Sequence, residues 1–456
     1  MSKSISITFA RGARRVTGSN FLVEAKDGDK STKVLIDCGL SQGEKFCESP
    51  NAEPFSYDPK TVTAIIFTHA HADHIGLFPK LVKEGFQGKA YATEPTRDLM
   101  PIMLEDSVGL ISDESKKCGY EAPYSREDVE KATHMVEGVA YKTPIALAEG
   151  ISATLYNAGH ILGSATVLLD IFGTKVLFTG DLGRSPAVIV PERDIPSDVD
   201  YLITESVYGN RVHPKIADSE TLLNQTVEKV RAEKGVLLIP AFSLERTQII
   251  LSILDALSAK QEIPQVFMDS PLSAKVTKVY EKYPAFLKGD LQDRLRSGDA
   301  PFSFPSLHIT ADKEASQSID HAQTPKIIIA GAGMSHGGRI RHHEMRYLPQ
   351  ATTTLMVVGY QVPGSLGRRL RDGAKEVSID GVTVPVKAQV VTADGFSAHA
   401  DREDIMSFVE AVSPKRVFVV LGETEGATFL AQRISGFLNI PVDVPREGET
   451  YDIPLV

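Results

Sequence analysis

The chain has 456 residues, 42% of them hydrophobic and 24% charged, which is the composition of an ordinary soluble globular protein. That length exceeds what one hydrophobic core usually serves, so two domains, or one domain inserted into another, are expected. A formal net charge of −10 excludes a protein that coats nucleic acid over its whole surface, while leaving room for a local basic patch.

Residues 1–9 lack the charged start and long apolar run of a secretory signal, and no later stretch is apolar enough to span a bilayer. A cytoplasmic protein without membrane contact is expected. Residues 4–9, 20–23, 33–36 and 64–67 read as short strands, 95–117 as a long helix, and 151–156, 165–171 and 175–178 again as strands. Val34-Leu35-Ile36 and Ala64-Ile65-Ile66-Phe67 are continuously apolar, as strands covered on both faces should be.

From about Ser219 the rhythm becomes helix then strand: helical runs to Lys234, over 244–257 and over 272–282, with strands at 236–239, 266–268, 326–330 and 354–358. This alternation predicts a parallel sheet covered by helices. After about Lys375 the β-rich character returns, with strands at 390–392 and 417–421 before a helix at 425–437. The simplest reading is a second domain inserted into the first.

Cys38, Cys47 and Cys118 are few, odd in number and unpatterned, so neither a disulfide framework nor a CxxC knuckle is expected. Any metal must then sit on His and carboxylates. Of only 12 histidines, three fall within six positions beside an Asp in His69-x-His71-x-Asp73-His74. An extended loop leaving the strand 64–67 points alternate residues the same way, which converges imidazole and carboxylate donors. His160, between Gly159 and Gly163, and Asp181, at the end of the strand 175–178, supply further donors. Asp37, just after another apolar strand, reads either as a turn-forming Asp before Gly39 or as a carboxylate that orients a ligand histidine.

Asp37, the HxHxDH run, His160 and Asp181 resemble, in order and local context, motifs one to four of the metallo-β-lactamase superfamily. Thr204-Glu205-Ser206 looks like motif A, and Phe396-Ser397-Ala398-His399-Ala400-Asp401 looks like motif B, of its β-CASP nucleases. That group includes the RNA 3′-end processing endonuclease of cleavage and polyadenylation, RNase J and the DNA nuclease Artemis. Between the two motifs, Asp269-Ser270-Pro271-Leu272, Gly333-Met334-Ser335-His336-Gly337-Gly338-Arg339 and the run from Gly359 to Gly367 are similar to signature segments of the inserted domain.

The resemblance implies an α/β protein: an αβ/βα sandwich over residues 1–208 and 376–456, with an inserted doubly wound β-CASP domain over 209–375. It also implies a zinc-dependent nuclease with two ions. His69, His71 and His160 would hold one, Asp73 and His74 the other, and Asp181 would bridge them. His399 would stabilise the phosphorane charge or protonate the leaving oxygen, with Glu205 fixing its tautomer. The glycine-rich stretch around Gly337 and Gly338, with Arg339, Ser365 and Arg368, would contact phosphates. His336, His342 and His343 read as surface or supporting residues, with substitution of one of them for the absent motif C ligand as the alternative.

One position departs from the pattern. Motif C expects a His before Gly-Glu, and here Leu421 precedes Gly422-Glu423. Leucine cannot ligate a metal, so the second ion is expected one ligand short. Single-stranded RNA is the expected substrate, because the segments between motifs A and B resemble the bacterial and archaeal processing branch. DNA, as for Artemis, and a small ester or thioester are the alternatives. No KH-type extension or long C-terminal tail is expected, and the choice between monomer and homodimer stays open.

Overall fold

The computed structural model describes residues 3–42, 47, 50–310, 312–362 and 364–456. Met1 and Ser2 of the N-terminal reading, and Pro363 of the run from Gly359 to Gly367, lie outside them. The chain divides into two units, residues 1–212 with 399–456, and residues 213–398.

The first unit is built on two seven-stranded sheets. One runs in the order Thr450–Ile453, Lys3–Arg11, Asn20–Asp27, Lys30–Ile36, Ala64–Ile66, Lys89–Thr93 and Val136–Val139. The other runs Val442–Asp443, Arg416–Val419, Tyr201–Thr204, Thr174–Phe178, Ala165–Ile171, Ile151–Asn157 and Ile145–Ala148. In Lys3–Arg11, Ile5, Ile7 and Phe9 are buried while Ser4, Ser6 and Thr8 are not, the two-residue period of a strand with one face on a core. Those side chains meet Phe21, Val167, Phe178, Ile203 and Phe418 in one apolar cluster between the sheets. The outer face of the second sheet carries Leu177, Leu202 and Val417 against Ile405, Phe408 and Val409 of the helix Arg402–Val412 and Leu430 of the helix Thr424–Arg433. Burial on both faces accounts for the continuous apolar runs at 34–36 and 64–66.

Parallel pairing of Lys30–Ile36, Ala64–Ile66 and Lys89–Thr93 aligns their C-terminal ends, and Asp37 and the His69 segment emerge there. In the second sheet Thr174–Phe178, Tyr201–Thr204 and Arg416–Val419 are parallel, so Asp181, Glu205 and Leu421 also follow aligned strand ends. Ligand chemistry gathers outside the carboxyl ends of such strands.

The second unit holds a six-stranded parallel sheet in the order Leu307–Ile309, Gln265–Asp269, Lys326–Ala330, Val236–Pro240, Thr353–Val357 and Gln389–Thr392, with a separate hairpin of Glu376–Ile379 and Val382–Pro385. Order expanding in both directions from Val236–Pro240 is the doubly wound arrangement. The strand Gln389–Thr392, expected to return to the first domain, instead pairs with Thr353–Val357 from Thr354↔Gln389 to Val357↔Thr392. The inserted unit therefore extends to Ala398 rather than to residue 375. A short apolar run carries no mark of which sheet it will join.

Cys47 and Cys118 are disulfide-bonded, with Cα atoms 5.3 Å apart, which corrects the expectation of no disulfide. The bond joins the C-terminal residue of the helix Glu94–Cys118 to a cysteine 71 positions earlier in the sequence. Cys38 is free and buried. No helix among the described residues is long and apolar enough to cross a membrane.

Candidate metal centre

The His69 segment is anchored before it reaches its ligands. Phe67 N donates to Tyr91 O, and Thr68 O accepts from Ala165 N at 2.7 Å, which joins this loop to the one carrying His160. His71 then caps the four-residue helix Ala72–Ile75 by backbone position alone, with no side-chain cap bond. Gly39 is obligatory here: a Cβ would stand 1.6 Å from Asp73 O. In the same way a Cβ on Gly183 would stand 1.8 Å from Gly159 O, where the loops after Asp181 and before His160 cross.

Asp37 adopts a left-handed conformation (φ 61°), which Asp tolerates better than most residues, and is fully buried. Its Oδ1 accepts from Thr68 N at 2.8 Å, and its Oδ2 accepts from Ser19 Oγ at 3.0 Å, Thr68 Oγ1 at 2.9 Å and His74 Nδ1 at 2.7 Å. A carboxylate only accepts, so the Thr68 hydroxyl gives its proton to Asp37 and accepts from His69 Nδ1, 3.0 Å away. Both histidines thereby commit Nδ1 to this network and turn Nε2 inward. Desolvation pushes His69 well below its ordinary pKa, which keeps that nitrogen available. Thr68 and Ser19 are the residues that sequence reasoning missed; the only available signal was a hydroxyl immediately before His69.

The inward nitrogens crowd one point. His69 Nε2 lies 3.0 Å from His71 Nδ1, His160 Nε2 lies 3.4 Å from His71 Nδ1, and Asp181 Oδ2 lies 3.5 Å from both Nε2 atoms. A tetrahedron drawn about an ion at ligand distances of about 2.1 Å has edges of about 3.4 Å, so these four donors fit a zinc-sized ion. Asp181 Oδ1 reaches on to His74 Nε2 at 3.2 Å, and that buried nitrogen has no hydrogen-bond partner. Desolvation works against the Asp181 charge, yet His74 and His69 hold its carboxyl well below the usual carboxylate range. Asp181 thus touches both ligand groups, as a bridging ligand would.

Asp73 lies within electrostatic reach of His74, Asp181 and His399, but does not join the tight group His69, His71, His160 and Asp181. Its helix start does fix it locally, because Asp73 O accepts from Ser19 N. Glu205 and His399 form a second group with Asp181. Glu205 Oε1 accepts from Leu182 N at 2.6 Å, its Oε2 lies 3.6 Å from His399 Nδ1, and burial pushes its carboxyl up. His399 is placed by backbone pairing: it bridges Gly183, and Ala400 N donates to Leu182 O.

Leu421 occupies the motif C position with a left-handed backbone (φ 47°), its N donating to Gly12 O and its O accepting from Ser206 N. Its side chain is buried in the apolar cluster between the sheets. The residues expected to contact phosphate lie in the second unit and serve internal partners. Arg339 Nη1 donates to buried Asp269 at 2.6 Å, Ser365 caps the helix Leu366–Arg371, and Arg368 pairs with Asp372. A Cβ on Gly337 would meet open space, whereas one on Gly338 would strike Gly331 O.

Residues 13–240 match the family described as the metallo-beta-lactamase superfamily, 247–370 the Beta-Casp domain, and 383–445 the Zn-dependent metallo-hydrolase RNA specificity domain. The chain belongs to the β-CASP branch of the metallo-β-lactamase superfamily. This β-CASP chain is 34% identical over 413 residues to a protein named Ribonuclease TTHA0252 from Thermus thermophilus, covering 91% of itself and 92% of that protein. It is 31% identical to an RNase J-like protein from Methanocaldococcus jannaschii, covering 98% and 100%, and 31% identical to the transcription termination factor FttA of Methanosarcina mazei, covering 96% and 70%. A solved Enterococcus faecalis protein of unknown function shares the fold at 12% identity, with a TM-score of 0.57 over 99% of this chain and all of that one.

The role of Asp37 is open to direct test. An Asp37→Ala protein loses the acceptor for Thr68 and His74 and is expected to bind metal about 10–100-fold more weakly, read by zinc titration against a chromophoric chelator. Unchanged affinity would show that the histidines are oriented without it.

Proposed function

We propose that this β-CASP chain hydrolyses phosphodiester bonds of RNA at a zinc centre held by His69, His71, His160 and Asp181, with a second zinc at His74, Asp73 and the other Asp181 oxygen. The observation that supports it best is the convergence of three imidazole nitrogens and one carboxylate within 4.8 Å of one another beside the Glu205–His399 pair. When bound, such ions lower the pKa of water and polarise a phosphate oxygen. The protein contributes the rest. Asp37 and Thr68 fix the ligand tautomers, and Asp181 links the two ligand groups. Glu205 faces His399 Nδ1, so we assign the Nε2 edge of that ring to the leaving oxygen, to which it passes a proton. Arg339 is not assigned to phosphate, because its guanidinium already holds Asp269. We place the enzyme in the cytoplasm, where RNA is met.

Purified protein incubated with end-labelled single-stranded RNA, the matching single-stranded DNA and a generic carboxylic ester should cleave the RNA, lose activity on chelation and regain it with zinc. Preferential cleavage of the DNA or of the ester would replace this reading with one of the other two, and the fragment pattern on RNA would separate internal from end-directed cutting.

Leu421 makes the two sites unequal in this proposal. After dialysis the protein should retain one ion firmly and the second weakly, and Leu421→His should raise the retained content to two, measured by mass spectrometry of the metals. The backbone favours this exchange, since His is found at positive φ more often than Leu. Two tightly held ions in the unmodified chain would refute the inequality.

A further inference from the structure

The second unit contains another group of metal-type donors that the hydrolytic centre does not use. Asp269, at the end of the strand Gln265–Asp269, is fully buried and accepts from Arg339 Nη1 at 2.6 Å, Thr310 Oγ1 at 2.5 Å, Ser316 Oγ at 2.6 Å and His343 Nε2 at 2.7 Å. With that many donors around it the carboxylate is ionised, so the hydrogen between it and His343 belongs to Nε2. His343 is itself fully buried, and its Nδ1 has no hydrogen-bond partner. A buried acceptor left in that state is unusual.

What stands around His343 explains it. One ring nitrogen of His343, one of His342 and a carboxylate oxygen of Asp320 lie within 4.8 Å of one another. Nε2 of His343 is committed to Asp269, which leaves Nδ1 as the ring nitrogen free to take a ligand. Asp320 presents Oδ2 at 3.0 Å from His342 Nε2, while its Oδ1 faces Arg346 Nε at 3.3 Å. A ligand imidazole that hands its other N–H to a buried carboxylate is the usual arrangement around protein-bound zinc. An ordinary His342–Asp320 ion pair would account for two of the three residues and leave Nδ1 of His343 without a purpose.

We infer that Asp320, His342 and His343 form a further divalent-metal site in the inserted unit, taking a zinc-type ion on two imidazoles and one carboxylate. Two nitrogens and one oxygen suit zinc and its neighbours better than calcium or magnesium, which prefer all-oxygen shells. His342 is half exposed, so water completes the coordination. The ion ties the turn Ile319–His321 to the helix Ile340–Tyr347. Through Asp269 and Arg339 it steadies the end of the glycine-rich loop that leads into that helix. Its role is to brace this unit rather than to cleave.

The test uses the full chain titrated with zinc, and with cobalt as a spectroscopic probe, alongside His342→Ala and Asp320→Asn. The parent should bind one ion more than either variant, and zinc should raise the unfolding midpoint of the parent more than that of the variants. RNA cleavage should stay within about twofold of the parent. A His71→Ala chain should keep this ion, so failure here is distinguishable from failure of the hydrolytic centre. Equal metal content and equal zinc-induced stabilisation in the parent and both variants would overturn the proposal and leave an ion pair. So would a variant whose midpoint falls equally with and without zinc.

Discussion

Replacing His71 by Ala should reduce RNA cleavage by about a thousandfold or more while leaving the folded protein intact. The size follows from the chemistry: an ion that loses one of three imidazoles binds more weakly and polarises less, and a loss of about 4 kcal/mol in transition-state stabilisation corresponds to that factor. The survival of the fold follows from the surroundings. His71 is only half-buried, and although it stands at the N-terminus of the helix Ala72–Ile75 it makes no side-chain cap bond, so its imidazole contributes little to packing or helix termination. The circular dichroism spectrum and metal-free unfolding midpoint should match those of the parent, with zinc content reduced. Undiminished cleavage by the purified variant would refute the metal mechanism.

The second large effect is expected at His399, with a different signature. His399→Ala should lower the rate of cleavage about 10²- to 10⁴-fold, the usual range for a general acid, without changing the zinc content of the His69, His71 and His160 group. The main chain at this position is held by the bridge to Gly183 and the Ala400–Leu182 hydrogen bond, neither of which needs the ring. The loss should be smallest on substrates with a good leaving group, such as a nitrophenyl phosphodiester, where protonation matters least. Glu205→Gln should follow the same pattern more weakly, because Leu182 N can still be satisfied while the charge facing His399 is gone. A parallel fall in zinc content would instead make His399 a ligand.

Much of this was legible from residue order. Ala165–Ile171 and Lys326–Ala330 announce themselves by apolar runs between turns, and the crowding of three histidines and an aspartate between His69 and His74 has no ordinary packing explanation. Other elements leave weaker traces. Lys89–Thr93 and Val136–Val139 are short, mixed strands that exist because the sheet edge beside Ala64–Ile66 offers them hydrogen bonds. The assignment of Gln389–Thr392 to the inserted sheet depends on a partner more than thirty residues away, as the Cys47–Cys118 bond depends on packing across a longer span. At the centre itself the candidate donors could be read from the sequence, but the part played by Thr68 could not. A hydroxyl passing the polarity of Asp37 to His69 becomes visible only when the three side chains are placed together.

The Gly183–His399 bridge also has a consequence for how the enzyme comes into being. Asp37, the three imidazoles, Asp181 and Glu205 all leave the ribosome before the inserted unit, whereas His399 follows it. At a synthesis rate of about 5–20 residues per second, roughly 10 to 40 seconds separate Glu205 from its partner. Under the roles proposed above, the growing chain in that interval holds its metal donors but lacks its proton donor. A nuclease made on a message is thus born unarmed, and becomes competent only when its last segment folds back across its first.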